Sequence, residues 1–472
     1  MKRTHIVFIG AICVLAAGAA TGLVERDLAA QTRGGVRAPA FQVDPFWPKP
    51  LPNHWILGSV TGVALDAKEH VWIVHRGLDS LTVRTEAGLA LTPPGSEVCC
   101  APAPQVLHFD PAGNLVGHWG GPGQGFDWPV SPGGIAVDGK GNVWIAAAGV
   151  DPPTPGRGRG APAEEGAEPA RGGQAGGGRA AGGAAGGAAG GAAGGAAGGA
   201  AGGAAGGAAG GAAGGAAGGQ AAGAAQAGGQ GRGGGRGGGQ AAPPRPADAQ
   251  VLKFSSDGKF LLQIGQAGKP GDAASTTGLN RPASVEADLA ANELYVADGA
   301  ANRRIVVFDA NTGAYKRHWG AYGAKPDDSP LGAYDPNAAP AKQFRSPSCV
   351  RLAKDGSVYV CDRQNDRIQV FKKDGTFVKE GFVSKTTMGN GSVWDIAFSN
   401  DPQQQFLYVA DGQDQKVFIL RRDTLETVGT IGDGGRWPGY FFGVGSVVVD
   451  SKGNVYTGET FEGKRVQKFA RK

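Results

Sequence analysis

The 472-residue chain lacks two features that would assign it to a common class: an excess of positive charge and a second long apolar run. Residues 1–30 carry a charge of +1 and residues 151–247 carry +3, which leaves +1 of the formal total of +5 for all other residues. A nearly neutral remainder gives no basis for nucleic-acid binding. Because no long apolar run follows residue 23, membrane contact is expected only through the N-terminus.

The single long apolar run, residues 6–23, follows Met1-Lys-Arg and is rich in alanine and glycine. A basic start, a short apolar segment and small residues after it are typical of a secretory signal peptide. We therefore interpret residues 1–30 as a signal peptide and expect export to the periplasm or the cell exterior. The alternative is an uncleaved membrane anchor, although the run is short for a full span.

Cysteine is scarce, and Cys13 lies inside the apolar run, which leaves four cysteines for the rest of the chain. Export would place these four in an oxidising compartment. Cys349 and Cys361 flank a Lys-Asp-Gly-Ser turn, so adjacent antiparallel strands would bring them nearly opposite each other. A cross-strand disulfide and two free buried thiols are both compatible with this spacing. Cys99 and Cys100 form an adjacent pair in a long loop.

A short motif recurs about every fifty residues: a Tyr-Val-x-Asp segment, then an apolar segment that begins with a basic residue. It is found at residues 295–308, 359–371 and 408–420. A fixed period with four short strand-like segments in each unit is typical of a β-propeller. We count six units and predict an all-β, six-bladed β-propeller over residues 41–472.

The sixth unit starts at Val444 and stops at Phe469 after only three strand-like segments. An open sheet edge invites unwanted pairing, and propellers close their ring by borrowing a strand from the other end of the chain. Residues 41–47 precede the first unit and have no other assignment. We predict that they form the outer strand of the last blade.

Residues 151–247 interrupt the second unit with a Pro/Gly/Arg-rich stretch and a run of Ala-Ala-Gly-Gly units. They lack the large apolar side chains that would offset the entropy cost of ordering them, so we predict a disordered, low-complexity insertion. The insertion falls between the second and third strands of its blade, on the face where the functional loops of a propeller lie. A surface tether is one function that it could serve.

Acidic residues end the second strand of three units, at Asp298, Asp362 and Asp411. Their recurrence favours a structural role, as acceptors for backbone N–H groups of the following turn, over a carboxylate site. Basic residues begin or precede the third strands at matching places, and we expect them to pair with neighbouring blades. These residues are Arg304, Arg367, Lys416 and Arg465.

The repeat resembles the NHL repeat, and two segments point to one family of NHL propellers. The segment at Val60–Asp66 followed by Ile73–Gly77 is similar to the first blade of the peptidyl-α-hydroxyglycine amidating lyases, and Cys361–Phe371 is similar to their fourth-blade signature. The resemblance covers roughly residues 55–470 without the insertion. It implies an enzyme that cleaves the C–N bond of a C-terminal α-hydroxyglycine with a zinc ion held by three histidines in the channel.

The resemblance also implies where the site residues should lie, and most of these positions carry another side chain. The three zinc histidines fall on Gly133, Ser348 and Gly445, and the tyrosine that acts as base falls on Ala300. Of the seven histidines, only His75 is expected near the channel, and one imidazole does not make a zinc site.

Two arginines that support the family's site are kept, as Arg76 and Arg363. By resemblance they are the catalytic-site candidates, and a pair of guanidiniums in a channel could bind a carboxylate such as a peptide C-terminus. The alternative is structural pairing with acids such as Asp362.

A structural calcium of the family would use the backbone carbonyls of Val63 and Ile135, while its carboxylate ligand falls on Ser446. We therefore expect no cofactor, unless other ligands rebuild the zinc or calcium site. The leading hypothesis is a monomeric, non-catalytic scaffold that binds a protein, a peptide or a glycan at the channel face, and no nucleic acid. One alternative is an active amidating lyase, a carbon–nitrogen lyase with non-standard ligands, and another is a tether that works through the insertion.

Overall fold

The computed structural model describes residues 37–81, 99–149, 247–299 and 301–472. The predicted signal peptide, Cys13, residues 151–246 of the predicted insertion and Ala300 therefore lie outside the described residues. Within the described ranges, none of the helices is long and apolar enough to cross a membrane.

Six four-stranded antiparallel sheets form the blades of a propeller in the described chain, which confirms the predicted fold class. The strands β1 (Phe41–Asp44) and β2 (Trp55–Ile56) come before the first blade. That blade begins with β3 (Val60–Leu65) and β4 (Val71–His75). The short strand β5 (Ala101–Pro102) then pairs with β2 in parallel. The blade is completed by β6 (Val106–Phe109) and β7 (Leu115–Trp119).

The next five blades follow in chain order. The second contains β8 (Pro132–Val137), β9 (Val143–Ala147), β10 (Gln250–Phe254) and β11 (Phe260–Gly265). The third contains β12 (Ser284–Asp288), β13 (Glu293–Asp298), β14 (Arg304–Asp309) and β15 (Tyr315–Trp319). The fourth contains β16 (Pro347–Leu352), β17 (Val358–Asp362), β18 (Arg367–Phe371) and β19 (Phe377–Phe382). The fifth contains β20 (Asp395–Phe398), β21 (Phe406–Asp411), β22 (Lys416–Arg421) and β23 (Thr427–Ile431).

The sixth blade contains β24 (Val444–Val449), β25 (Val455–Glu459) and β26 (Arg465–Arg471), with β1 as its fourth strand. Three short 3-10 turns are also described, at Leu78–Ser80, Ala321–Gly323 and Arg363–Asn365. The innermost strands contact one another in the closed order β3, β8, β12, β16, β20, β24 and back to β3. The ring therefore encloses a central channel that is lined by the first strand of every blade.

The ring is closed by the N-terminal strand, as the sequence predicts. β1 pairs antiparallel with β26, so that Phe41 lies opposite Arg471 and Val43 lies opposite Phe469. The segment after β1 adds a buried aromatic ring, because Trp47 packs against Tyr456 with 4.9 Å between ring centroids. Apolar burial and strand pairing thus join the two ends of the described chain.

The second strand of each blade is buried along its whole length. Each of these strands has a strand on either side within its sheet and a neighbouring blade against each face. Because it is covered on all sides, its sequence is almost continuously apolar. The tyrosines of the recurring motif, Tyr295, Tyr359 and Tyr408, pack between blades, and so does Tyr456 at the matching place in the sixth blade; all four are at most 2% exposed. This packing explains why the motif repeats with the blade period.

The cysteines of the fourth blade lie directly opposite each other on β16 and β17. Cys349 and Cys361 are register partners with 4.9 Å between their Cα atoms, and they are joined by a disulfide. Both are buried in the apolar cluster between the fourth and fifth blades. Cys99 and Cys100 are joined to each other, at the point where the described chain resumes after residue 98.

Ion pairs link the second and third strands of three blades, fully buried in the third and fourth blades and partly exposed in the sixth. They correct the expectation that the basic residues pair with neighbouring blades. Nε–carboxylate distances are 2.8 Å for Arg304–Asp298, 2.8 Å for Arg367–Asp362 and 2.6 Å for Arg465–Glu459. The reason is register: in each pair the two residues lie opposite each other on antiparallel strands of one sheet. The pairs hold the end of each second strand to the start of the third strand. We call the face of the ring on which these strand ends lie the loop face.

The backbone N–H groups bound by the recurring acids also differ in part from the expectation. Asp298 accepts a hydrogen bond from the N–H of Asn280, and Asp362 accepts one from Arg345, both in the segment that leads into the same blade. Among the described residues, Asp411 is the one acid of the three that accepts backbone N–H groups from the turn that follows it. Asp298 and Asp362 therefore tie the end of the second strand to the segment that leads into the first strand of the same blade.

Candidate functional site

A small pocket of about 90 Å³ lies where the channel opens on the loop face, and all six blades contribute to its wall. We call it the mouth pocket. Its lining residues are Val60, Thr61, Arg76, Gly133, Ala148, Ala283, Ser348, Arg363, Trp394, Gly445, Thr460 and Phe461. The pocket is built mainly from residues at or just before the start of the innermost strands and from residues that follow the second strands.

The three positions that the resemblance assigns to zinc ligands meet in the mouth pocket, although none supplies an imidazole. The Ser348 hydroxyl donates to the carbonyl of Val393 at 3.0 Å. A methyl group added at Gly133 would lie 2.9 Å from the carbonyl oxygen of Ala283, whereas one at Gly445 would meet nothing closer than 3.4 Å. Among the described residues, no three His, Cys, Asp or Glu side chains are arranged to hold a metal ion. The residues present therefore do not fit the zinc site.

The two retained arginines are brought together in the mouth pocket from the first and fourth blades. Arg363 is 7% exposed, and its guanidinium lies over the ring of Trp394 at 4.6 Å from the centroid. The Asp362 carboxylate, which was the suggested structural partner, accepts hydrogen bonds from Arg367, Asn365 and backbone N–H groups of the preceding loop. A role for the two arginines in ligand binding stays a prediction.

Trp394 is the component of the mouth pocket that the sequence analysis missed. Its indole N–H donates to the carbonyl of Gly391 at 2.8 Å, and its ring packs edge-on against Phe461 at 5.5 Å. Aligning the blades by sequence could have identified it, because four other blades have a small residue at the position of Trp394 and only the fifth blade has a bulky one. Those positions are Gly133, Ala283, Ser348 and Gly445. The tryptophan fills one side of the channel mouth.

His75 does not face the channel as a possible ligand. It is completely buried; its Nδ1 lies 3.2 Å from the backbone nitrogen of Gly58 and 2.9 Å from the carbonyl oxygen of Arg76, and its Nε2 lies 2.9 Å from the carbonyl oxygen of Pro104. Burial lowers the pKa of the imidazole, against the opposite effect of the two carbonyls. The ring is a neutral structural link between two loops of the first blade.

Deeper in the channel lies a charged group that the sequence analysis also missed. It consists of Glu286, Arg351 and Asp395 from three successive innermost strands, and we call it the axial cluster. Arg351 contacts Asp395 at 2.7 Å and Glu286 at 3.9 Å. Burial raises the pKa of Glu286 to about 7, although 28% of its side chain is accessible from the channel. Arg351 therefore places a permanent positive charge between two acids.

The calcium position suggested by the resemblance is also a poor fit. Ser446 offers a hydroxyl where the family has a carboxylate, and its buried Oγ has no hydrogen-bond partner among the described residues. The nearby acid Asp395 is already engaged by Arg351 and by the backbone N–H of Val447. The carbonyls of Val63 and Ile135 with one hydroxyl make a weak ligand set for Ca²⁺.

Comparison with known proteins places these features in context. The sequence model of the NHL repeat matches residues 344–371. A 134-residue segment, 28% of the chain, is 33% identical to peptidyl-glycine alpha-amidating monooxygenase B of Xenopus laevis and covers 14% of it. A 189-residue segment, 39% of the chain, is 28% identical to human NHL repeat-containing protein 3 and covers 46% of it. The chain thus spans less than half the length of these curated relatives.

Solved structures that align along most of the chain are more distant in sequence. A streptogramin B lyase structure aligns over 92% of this chain and 98% of its own, with 10% identity and a TM-score of 0.42. A catalytically inactive virginiamycin B lyase from Staphylococcus aureus with quinupristin aligns over 91% of this chain and 89% of its own, with 10% identity and a TM-score of 0.40.

Proposed function

We propose that this six-bladed propeller, which carries an NHL repeat, is a non-catalytic scaffold that holds the carboxylate of a peptide or protein ligand at its mouth pocket. The observation that carries the proposal is the meeting of two guanidiniums and an aromatic ring in one pocket, from Arg76, Arg363 and Trp394. Guanidinium groups bind carboxylates through paired, charge-assisted hydrogen bonds.

The size of the mouth pocket supports a small anionic group rather than a whole ligand. Pockets for drug-sized ligands measure about 300–1,000 Å³, so a pocket of about 90 Å³ suits a carboxylate or a short side chain. A sugar ring or several peptide residues would have to lie outside, on the surrounding loops. This favours a peptide or protein with an accessible carboxylate over a neutral glycan.

A non-catalytic role is proposed because the positions that would hold zinc offer neither ligands nor, at Gly133, space for one. Export to the periplasm or the cell exterior remains part of the proposal and rests on the pattern of residues 1–30. Fractionation of cells that produce the full chain, with N-terminal sequencing of the product, tests that part independently of ligand binding.

Binding is tested with fluorescent peptides that differ only at the C-terminus, as free carboxylate or amide. We expect the free acid to bind more tightly. A hydrogen bond to a charged group is worth about 1.5–3 kcal/mol, so Arg363→Gln or Arg76→Gln should weaken binding roughly ten- to a hundredfold. Arg421→Gln is the matched control, because Arg421 pairs with Asp423 at the opposite ends of the strands.

Equal affinity for acid and amide, or unchanged affinity in both mouth-pocket variants, would contradict the proposal. The lyase alternative is examined with a peptide that ends in α-hydroxyglycine. Release of glyoxylate that is lost on chelation, together with one zinc per chain, would overturn the non-catalytic role.

A further inference from the structure

A cavity of about 500 Å³ lies between the fourth and fifth blades, at the face of the ring opposite the loop face. Its wall comes from the fourth blade and from two turns of the fifth blade, at residues 403–405 and 421–423. We call it the interblade pocket. Pockets for small molecules have volumes of about 300–1,000 Å³, so this pocket has room for a ligand that the mouth pocket could not hold.

The strand register shows that the third blade has matching residues at this place. In the fourth blade, Tyr359 and Lys379 lie opposite the same residue of β18, one on each side of it. In the third blade, Tyr295 and Arg317 flank one residue of β14 in the same way. Both blades therefore carry a tyrosine and a basic residue on one face of the sheet, two strands apart.

The third blade supplies an acid that binds both of these side chains. Glu293 precedes Tyr295 by two residues, and its carboxylate accepts two hydrogen bonds from the Arg317 guanidinium, at 2.7 and 2.6 Å. It accepts a third from the Tyr295 hydroxyl at 2.7 Å. The residue two before Tyr359 in the fourth blade is Ser357. The fourth blade thus keeps the tyrosine and the cation but lacks their acid.

Lys379 and Tyr359 find no other carboxylate among the described residues. The Lys379 ammonium donates to the backbone carbonyls of Arg422, at 2.9 Å, and of Asp423, which leaves one of its three protons for another acceptor. The Tyr359 hydroxyl accepts a hydrogen bond from Nε of Arg422 at 3.1 Å, and no acceptor for its own proton lies in the described chain. Burial lowers the pKa of Lys379, as expected for a partly desolvated ammonium without a bound acid.

The other charged side chains of the interblade pocket pair with one another. Arg422 pairs with Asp355 and Arg421 pairs with Asp423, and both carboxylates are more than half exposed. Together with Lys379, the pocket therefore carries one net positive charge. A single carboxylate would balance that charge, whereas the two acids disfavour phosphates and other multiply charged anions.

We propose that the interblade pocket binds a sugar acid, whose carboxylate takes the place that Glu293 fills in the third blade. This carboxylate would accept hydrogen bonds from Lys379 and Tyr359. The sugar hydroxyls would lie among the polar groups of the turns, where exposed carboxylates accept protons and the exposed amides of Gln403 and Gln405 both donate and accept. The class includes a free uronic acid and a uronic acid unit of a glycan.

The test titrates the full chain with D-glucuronate at pH 7.5 by isothermal titration calorimetry, beside glucose and acetate. We expect D-glucuronate to bind more tightly than either, because glucose lacks the carboxylate and acetate lacks the hydroxyls. An oligogalacturonate that binds more tightly than D-galacturonate identifies a glycan chain as the source of the sugar acid. Equal or weaker binding of the oligomer identifies the free sugar acid.

Ser357→Glu is the decisive variant, because it supplies the acid of the third blade within the chain. It should keep at least the parent's melting temperature and weaken D-glucuronate binding at least tenfold, as should Lys379→Met, since each removes a hydrogen bond between charged groups. Ser357→Ala, which adds no acid, and Lys269→Met, which removes an exposed lysine far along the chain, are the matched controls. Both should bind D-glucuronate like the parent.

The inference does not depend on the mouth pocket, with which the interblade pocket shares no residue. Arg363→Gln should bind D-glucuronate like the parent, and Lys379→Met should keep the parent's affinity for peptide acids, so either proposal can fail alone. Equal affinity for the three probes, or undiminished D-glucuronate binding by Ser357→Glu, would overturn the inference. Loss of D-glucuronate binding in Arg363→Gln would also overturn it, because the sugar acid would then lie in the mouth pocket.

Discussion

The guanidinium of Arg363 lies over the indole ring of Trp394, with Cζ 4.6 Å from the ring centroid. Arg363 follows the second strand of the fourth blade, and Trp394 leads into the first strand of the fifth, so the contact joins two blades at the channel mouth. Phe461 of the sixth blade packs edge-on against the same indole ring, with 5.5 Å between ring centroids. The stack presets the position of the guanidinium before any ligand arrives.

Replacing Trp394 by leucine should therefore weaken both ligand binding and stability. The change removes the stack and leaves the buried carbonyl of Gly391 without its indole donor. We expect the free energy of unfolding to fall by about 2–4 kcal/mol, as for other losses of large buried aromatic rings. Chemical denaturation measures the loss, and peptide titration measures the affinity.

The control for this variant is Trp437→Leu on the same face of the ring. Trp437 is 78% exposed, and we expect its replacement to change the free energy of unfolding by less than about 0.5 kcal/mol. Equal effects of the two changes would show that the stack with Arg363 contributes nothing specific.

The blade period was enough to predict the fold, because each unit repeats the same buried second strand and the same turns. The closing strand could be predicted because the sixth blade is one strand short. The axial cluster could not, since Glu286, Arg351 and Asp395 are far apart in sequence and meet only when the ring closes. Their residue types match no motif, so the signal exists only in three dimensions.

The partners of the recurring arginines were predicted wrongly for a related reason. A basic residue at the start of a third strand can face a neighbouring blade or its own sheet, and the sequence pattern does not distinguish these. The strand register determines the partner: Arg304 lies opposite Asp298 on the neighbouring strand, so the nearest carboxylate belongs to its own blade. Once that pairing is known, Lys416 marks the blade in which the pair is broken, because it lies opposite Asp411 but its ammonium contacts Asp433 instead, at 3.6 Å.

Loss of the closing strand should destabilise the whole ring rather than one blade. Deleting residues 41–47 removes the partner of β26 and the buried ring of Trp47, whose loss alone should cost about 3–5 kcal/mol. Differential scanning calorimetry should show a single transition at a clearly lower temperature. Val43→Asp should act in the same direction, because Val43 packs on the cluster between the fifth and sixth blades.

The control for the closing strand is Gln42→Asp, since Gln42 lies on the same strand and is exposed. It should leave the melting temperature nearly unchanged. An unchanged melting temperature in the 41–47 deletion would mean that the ring does not need its N-terminal strand.

Stability should depend on pH through Glu286. Burial raises the pKa of its carboxyl from 4.5 to about 7, so between these values the folded protein keeps a proton that the unfolded chain releases. The free energy of unfolding should then fall as pH rises from about 4.5 to about 7, and stay lower above that range. Glu286→Gln should flatten this part of the profile and be relatively more stable at pH 8.

Asp366 and Asp411 give slopes of the same sign, because burial raises the pKa of both. The comparison is therefore between the parent and Glu286→Gln in identical buffers, by urea denaturation at each pH. Parallel profiles for the two proteins would refute the contribution assigned to Glu286.

Gly133 and Gly445, which the resemblance aligns with zinc ligands, should respond differently to replacement by alanine. A Cβ at Gly133 would lie 2.9 Å from the Ala283 carbonyl oxygen, which is fixed by the N–H of Gly134 at 2.7 Å. Gly133→Ala should therefore lower the free energy of unfolding by about 1–3 kcal/mol through overpacking. Gly445→Ala should be tolerated, because its Cβ would lie 3.4 Å from the Thr460 side chain and 3.7 Å from the Trp394 ring, which are ordinary contact distances. If chemical denaturation shows no loss of stability for either variant, the backbone around Gly133 can shift to accept a side chain. Space at Gly133 would then not prevent the rebuilding of a three-histidine site.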